Sequence, residues 1–191
     1  MIIKRHTICI CGLCIPVNAI LVWPMTNKEA GTYVETNMKI YEYLKQRGFK
    51  PTLNVLDNEC SKTLKEWILS DQMTIQFVEP ENHRVNAAET AIKATKYHIL
   101  AGLQTVDKDR PLQLWSKFTE QMQDTLNLLR TARQDPTKSA YKFLQGEFDY
   151  NKTPMAILGT RAVAFTDPDK RGAWEAHGID AYVVGRWPLH Y

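Results

Sequence analysis

The sequence predicts an α/β layered domain, and three observations carry that reading. Short apolar runs bounded by turn residues alternate with helical patterns, in the order strand, strand, helix, strand, helix, strand, helix, helix. The first apolar run, Thr7 to Trp23, is nearly continuous, as the strands of a buried sheet are. The longer patterned segments repeat apolar residues every three to four positions and end at Gly or Pro.

The elements follow in chain order. The run from Thr7 to Trp23 divides near Pro16 into two strands, Thr7–Leu13 and Val17–Trp23. Lys4 and Arg5 ahead of it also give it the look of a signal peptide. Pro16, Asn18 and a length short of about 20 residues argue against a membrane span. A helix is expected from Lys28 to Gln46, stopped by Gly48 with Arg47 in its last turn. Thr52–Leu56 reads as a strand, Ser61–Leu69 as a helix with Ser61 as its N-cap, and Met73–Val78 as a further strand. After a polar loop, a helix runs to about Leu103, with Val85, Ala88, Ile92, Ile99 and Leu103 as its apolar stripe. Leu112 to Arg133 forms the next helix, with Leu112, Trp115, Met122, Leu126 and Leu129 as its core face. A short helix, Ser139–Leu144, precedes two short strands, Thr160–Phe165 and Ala181–Val184. The chain thus divides into residues 1–152 and a small β-rich segment, 153–191.

Composition sets bounds. The 191 residues suit one ordinary domain, with or without a small appendage. A net charge of +3 permits nucleic-acid binding without arguing for it. Cys9, Cys11 and Cys14 share one apolar run, a poor disulfide framework, and with Cys60 are read as buried reduced thiols in an intracellular protein, nuclear or cytoplasmic. The sequence has no phosphate-binding Gly-rich loop and no dinucleotide fingerprint.

The most informative stretch is Val78 to Glu89 and the helix it opens. At roughly 100° per residue, Glu89, Lys93 and Lys96 fall within about 60° of one another. One carboxylate beside two ammonium groups suits a metal ion held next to a phosphate backbone. It also suits an ordinary amphipathic helix, and the residues alone do not separate the two. Asp57 lies at the end of the preceding strand, so two carboxylates could converge on one edge of the sheet.

Several short motifs occur together: Arg47-Gly48-Phe49-Lys50-Pro51, Leu56-Asp57-Asn58-Glu59, His83-Arg84-Val85-Asn86-Ala87-Ala88-Glu89, Phe148-Asp149-Tyr150-Asn151-Lys152-Thr153-Pro154, Gly159-Thr160-Arg161 and His177 to Gly185. In this order the chain from about Asn18 resembles the integrase catalytic core of copia-type retrotransposon polyproteins. The resemblance implies a ribonuclease-H-like mixed sheet with flanking helices. It also implies a carboxylate triad holding two Mg²⁺ (or Mn²⁺) ions for in-line displacement at phosphorus. By resemblance, Asp57 is the second carboxylate and Glu89 the third, both catalytic and metal-binding. Lys93, Lys96 and Arg84 would contact DNA, the partner, and the chain could form a homo-oligomer; no membrane partner is expected.

The sequence departs from the family at the first carboxylate. The first catalytic aspartate belongs to a strand upstream of Asn18-Ala19-Ile20-Leu21, and no Asp or Glu precedes Glu29. The resemblance therefore implies an integrase core lacking its first strand, inactive in strand transfer and weak in metal binding. The alternatives are a non-catalytic binding or scaffold protein on the same fold, and a secreted or membrane-anchored protein with an N-terminal signal. His83 is expected to be a loop residue, with assistance to a metal or phosphate as the alternative, His177 and His190 to be structural, and Tyr182, Trp174 and Trp187 to pack a small β module.

Overall fold

The computed structural model describes residues 8–56, 60–78, 87–109 and 111–186. The N-terminal apolar run is an antiparallel hairpin. β1 (Ile8–Cys14) pairs with β2 (Ala19–Met25) in a register running from Ile8 opposite Met25 to Cys14 opposite Ala19. Asn18 makes the turn possible by adopting φ 57°, a left-handed conformation that Asn tolerates better than most residues. Ala19, Ile20, Leu21 and Val22 are all buried, so both faces of β2 are covered.

The two faces have different covers. α1 (Ala30–Lys45) and α5 (Ala140–Gln145) pack Ile40, Leu44, Ala140 and Leu144 on Val17, Ala19 and Leu21. On the other face α3 (Ala87–Gln104) and α4 (Trp115–Leu129) bring Ala91, Ala94 and Leu126 against Ile20, Val22, Cys9, Cys11 and Leu13.

α4 also closes the outer edge of β2. The Asn127 side chain accepts from Ile20 N and donates to Ile20 O, both at 2.8 Å, and Gln123 Oε1 accepts from Val22 N at 2.7 Å. These amides stand where a neighbouring strand would, and buried backbone groups need such partners.

β3 (Leu53–Leu56) pairs in parallel with β4 (Thr74–Phe77) through α2 (Lys62–Ser70). Ser61 caps α2 by accepting from Leu64 N at 3.3 Å. Tyr41 of α1 packs with Leu64, Ile68 and Met73, so α1 covers both strand pairs. Val106, Phe118, Met122 and Leu158 form a further cluster. The last pair, β5 (Arg161–Phe165) and β6 (Gly178–Tyr182), is antiparallel, with Phe165 opposite Gly178.

The α/β class and the helix and strand order agree with the sequence. Four details differ. Among the described residues the strands form three two-stranded ladders rather than one mixed sheet. The long helix expected from Leu112 to Arg133 begins with a single 3-10 turn, Leu112–Leu114, and ends at Leu129, where Arg130 turns extended to let Thr131 bridge Ser139. Its buried side is largely polar: Gln121, Gln123, Asp124 and Asn127 are inside, while Leu129 is 76% exposed. Those polar side chains are inside because β2 and the C-terminal segment need their hydrogen bonds and charge. Finally, β6 begins at Gly178, three residues earlier than expected, because Phe165 pairs with Gly178.

Candidate nucleic-acid interface

The side of α3 that packs is built from small residues. Ala91 and Thr95 are buried, and Ala94 is half-buried. Thr95 Oγ1 donates to Ala91 O at 2.8 Å and lies 3.5 Å from Cys11 Sγ on β1. Such side chains let the helix approach the hairpin closely. The expected apolar stripe is rotated as a result: Ile92 is 48% exposed, because Ala91 and Thr95 take the contact. Val85, the first residue of that stripe, lies outside the described residues.

Seating α3 on that side directs Glu89, Lys93 and Lys96 to the surface, and all three are exposed. Glu89 occupies the first helical turn, where the helix dipole favours a carboxylate. Lys93 and Lys96 stand one and two turns further along. The arrangement offers two ammonium groups to a phosphate-bearing partner.

Other residues named from the sequence are not placed beside them. Asp57, Arg84 and His83 lie outside the described residues, as do Trp187 and His190; β3 ends at Leu56, directly before Asp57. Among the described residues no three His, Cys, Asp or Glu side chains come together as a metal-ligand set. A Mg²⁺ pair thus has no complete donor set among these residues. The four cysteines are free and half-buried, and desolvation raises each thiol above its ordinary value. Trp174 is fully exposed, contrary to its expected place inside a β module.

Two features escaped the sequence reading. Tyr97 and Leu100 are 61% and 46% exposed on the same outward side of α3 as the lysines. Their helical angles relative to Lys93 were the available signal. The second is a buried polar cluster of Asp124, Gln145 and Arg186. Asp124 lies about 160° around α4 from Met122, opposite the expected core face, so no signal in the sequence marks it as buried or says that its partner lies beyond β6.

No family model matches the chain, and no curated protein matches it. Solved structures do. A chain in the cryo-EM structure of the simian T-cell lymphotropic virus intasome in complex with PP2A regulatory subunit B56 gamma superposes with a TM-score of 0.53 at 11% identity. The match covers 88% of the present chain and 58% of that chain, so the protein spans little more than half its length. At this identity the likeness is one of fold: the protein has an α/β fold related to that of a chain from a retroviral intasome complex. No helix among the described residues is long and apolar enough to cross a membrane.

Proposed function

We propose that the protein is an integrase-core remnant of copia type with a ribonuclease-H-like ancestry, which binds DNA through α3 and performs no strand transfer by itself. The observation that carries the reading is the exposed Lys93–Lys96 edge on a helix seated by Ala91 and Thr95. The fold likeness to a chain of an intasome complex supports it. Lysines presented this way neutralise phosphates and fix the protein on the duplex without reading sequence. Asp57 and Glu89 would be catalytic carboxylates, able as a pair to hold Mg²⁺ or Mn²⁺ only weakly, and Arg84 would add a phosphate contact.

Fluorescence anisotropy with a labelled duplex tests the binding. Lys93→Glu combined with Lys96→Glu should weaken affinity and flatten its salt dependence by roughly two phosphate contacts. Unchanged affinity and salt slope would favour the scaffold reading instead. For the chemistry, strand transfer on a duplex end with Mg²⁺ or Mn²⁺ should be absent. Robust transfer that disappears in Asp57→Asn overturns the inactive assignment.

A further inference from the structure

The hairpin of β5 and β6 exposes apolar side chains on both of its faces. Val163 and Phe165 share one face and are 74% and 71% exposed, and Ile179 on the other is 62% exposed. Two strands alone are marginal in water, and stable sheets add a third strand or a covering helix. Among the described residues no third strand pairs with this hairpin.

The two outer edges differ in chemistry. Val183 N donates to Thr160 O at one end of the ladder, and Thr166 N donates to His177 O at the other. Hydrogen-bonded pairs alternate along an antiparallel ladder, so Ala162 with Ala181 and Ala164 with Ile179 are the bonded pairs between those ends. The N–H and C=O groups of Arg161, Val163 and Phe165 therefore point out along β5. Those of Gly178, Asp180 and Tyr182 point out along β6. Asp180 lies at the centre of the β6 edge, where a like strand would set carboxylate against carboxylate. The β5 edge has Val163 at its centre and no acidic residue.

We infer that β5 pairs antiparallel with β5 of a second copy of this chain, about a two-fold axis at Val163, to give the four-stranded sheet β6-β5-β5-β6. The edge is complementary to itself. Val163 meets Val163 of the second copy, and Arg161 of each copy stands opposite Phe165 of the other. The Phe165 ring already receives one guanidinium, Arg171, at 5.6 Å from its centroid. The Asp180 edges end the sheet on both sides, so pairing stops at two copies. Five residues a strand and their side chains fall short of the roughly 800 Å² per partner of a standard interface, so the dimer is a weak, concentration-dependent one. The pairing does not depend on the DNA reading.

Sedimentation of the full chain over a range of concentrations tests the pairing. The unaltered protein should shift from monomer to dimer as concentration rises, with no larger species. Val163→Pro removes only an N–H that faces outward, so the ladder to β6 survives. Val163→Lys sets two ammonium groups against each other at the axis. Each variant should keep its circular dichroism and weaken dimerisation at least about 10-fold. Val163→Cys should form a disulfide between copies on mild oxidation, beyond any seen in the unaltered chain, whereas Asp180→Cys should not. Three results overturn the proposal: a monomer at every concentration up to about 1 mM, a dimer that folded Val163→Lys leaves unchanged, or cross-linking through Asp180→Cys in place of Val163→Cys.

Discussion

Arg186 Nε lies 2.6 Å from Oδ2 of Asp124, a carboxylate with no solvent exposure. The contact is a close ion pair, and Arg186 pulls against the cost of burying the carboxylate. Gln145 closes the triangle, donating to Asp124 Oδ1 at 3.0 Å and accepting from Arg186 at 3.3 Å. The pair ties α4 to the segment that follows β6. Removing one partner of such a pair leaves a buried charge behind. Arg186→Met should therefore cost about 3–5 kcal/mol in urea unfolding, and adding Asp124→Asn should recover much of that loss. A cost within error of zero for Arg186→Met would mean that the tail is not held here.

The same carboxylate sets a pH dependence. Burial pushes Asp124 up to about 6 from 3.8, in spite of the opposing pull of Arg186. An acid that holds its proton longer when folded stabilises the fold most at low pH. Its contribution should fall as pH rises from about 3.8 to about 6. Asp135 acts in the opposite direction: hydrogen bonds from Lys138 and Thr137 lower it to about 2, so its contribution is lost as pH falls below the ordinary aspartate range. The windows are separate. Asp124→Asn should flatten the curve of unfolding midpoint against pH only in the upper one.

Asn127 should be costly to remove. Asn127→Ala strands both Ile20 N and Ile20 O at the edge of β2, and unpaired buried groups cost about 1–3 kcal/mol each. Asn127→Asp separates the two roles, since an ionised carboxylate can accept from Ile20 N but cannot donate to Ile20 O. It should be no less damaging than the alanine variant. Gln123→Ala, which frees only Val22 N, should cost less. Chemical denaturation ranks the three.

Gly159 adopts φ +68°, and a Cβ placed there would run into Val106. Gly159→Ala should cost about 1–3 kcal/mol through the left-handed backbone and the collision together. Trimming the neighbour in the double variant with Val106→Ala should relieve most of the steric part, since only its Cβ, 2.9 Å away, remains, and leave the backbone part. Thermal unfolding of the three proteins separates them, because a simple cavity at Val106 makes the double variant worse than either single change.

What could be read from the sequence followed from how local each signal was. The N-terminal hairpin was legible because Ala19 to Val22 is an unbroken apolar run, and α2 because Ser61 marks its start. The ends of α4 were not, since its C-terminus depends on Arg130. That side chain turns away to reach the Asn18 side chain and Asn18 O, far off in sequence. Nor could periodicity reveal that Gln123, Asp124 and Asn127 lie inside, because their partners are β2 and Arg186. Of the proposed site, the Glu89, Lys93 and Lys96 edge was legible from helical angles alone. The rotation that exposes Ile92 was not, because it arises from the close approach of Ala91 and Thr95 to β1.

The amides of Asn127 and Gln123 give the N-terminal hairpin a direction of growth. Strand addition needs a row of free backbone groups, and at Ile20 and Val22 that row is already occupied by side chains of the same molecule. A foreign strand arriving there would have to displace α4 before forming its first hydrogen bond. Recruitment of another chain by this hairpin, whether in productive assembly or in amyloid-like misassembly, is therefore blocked along Ile20 and Val22 of β2. The molecule is thus a chain-terminating unit at one end of any such stack.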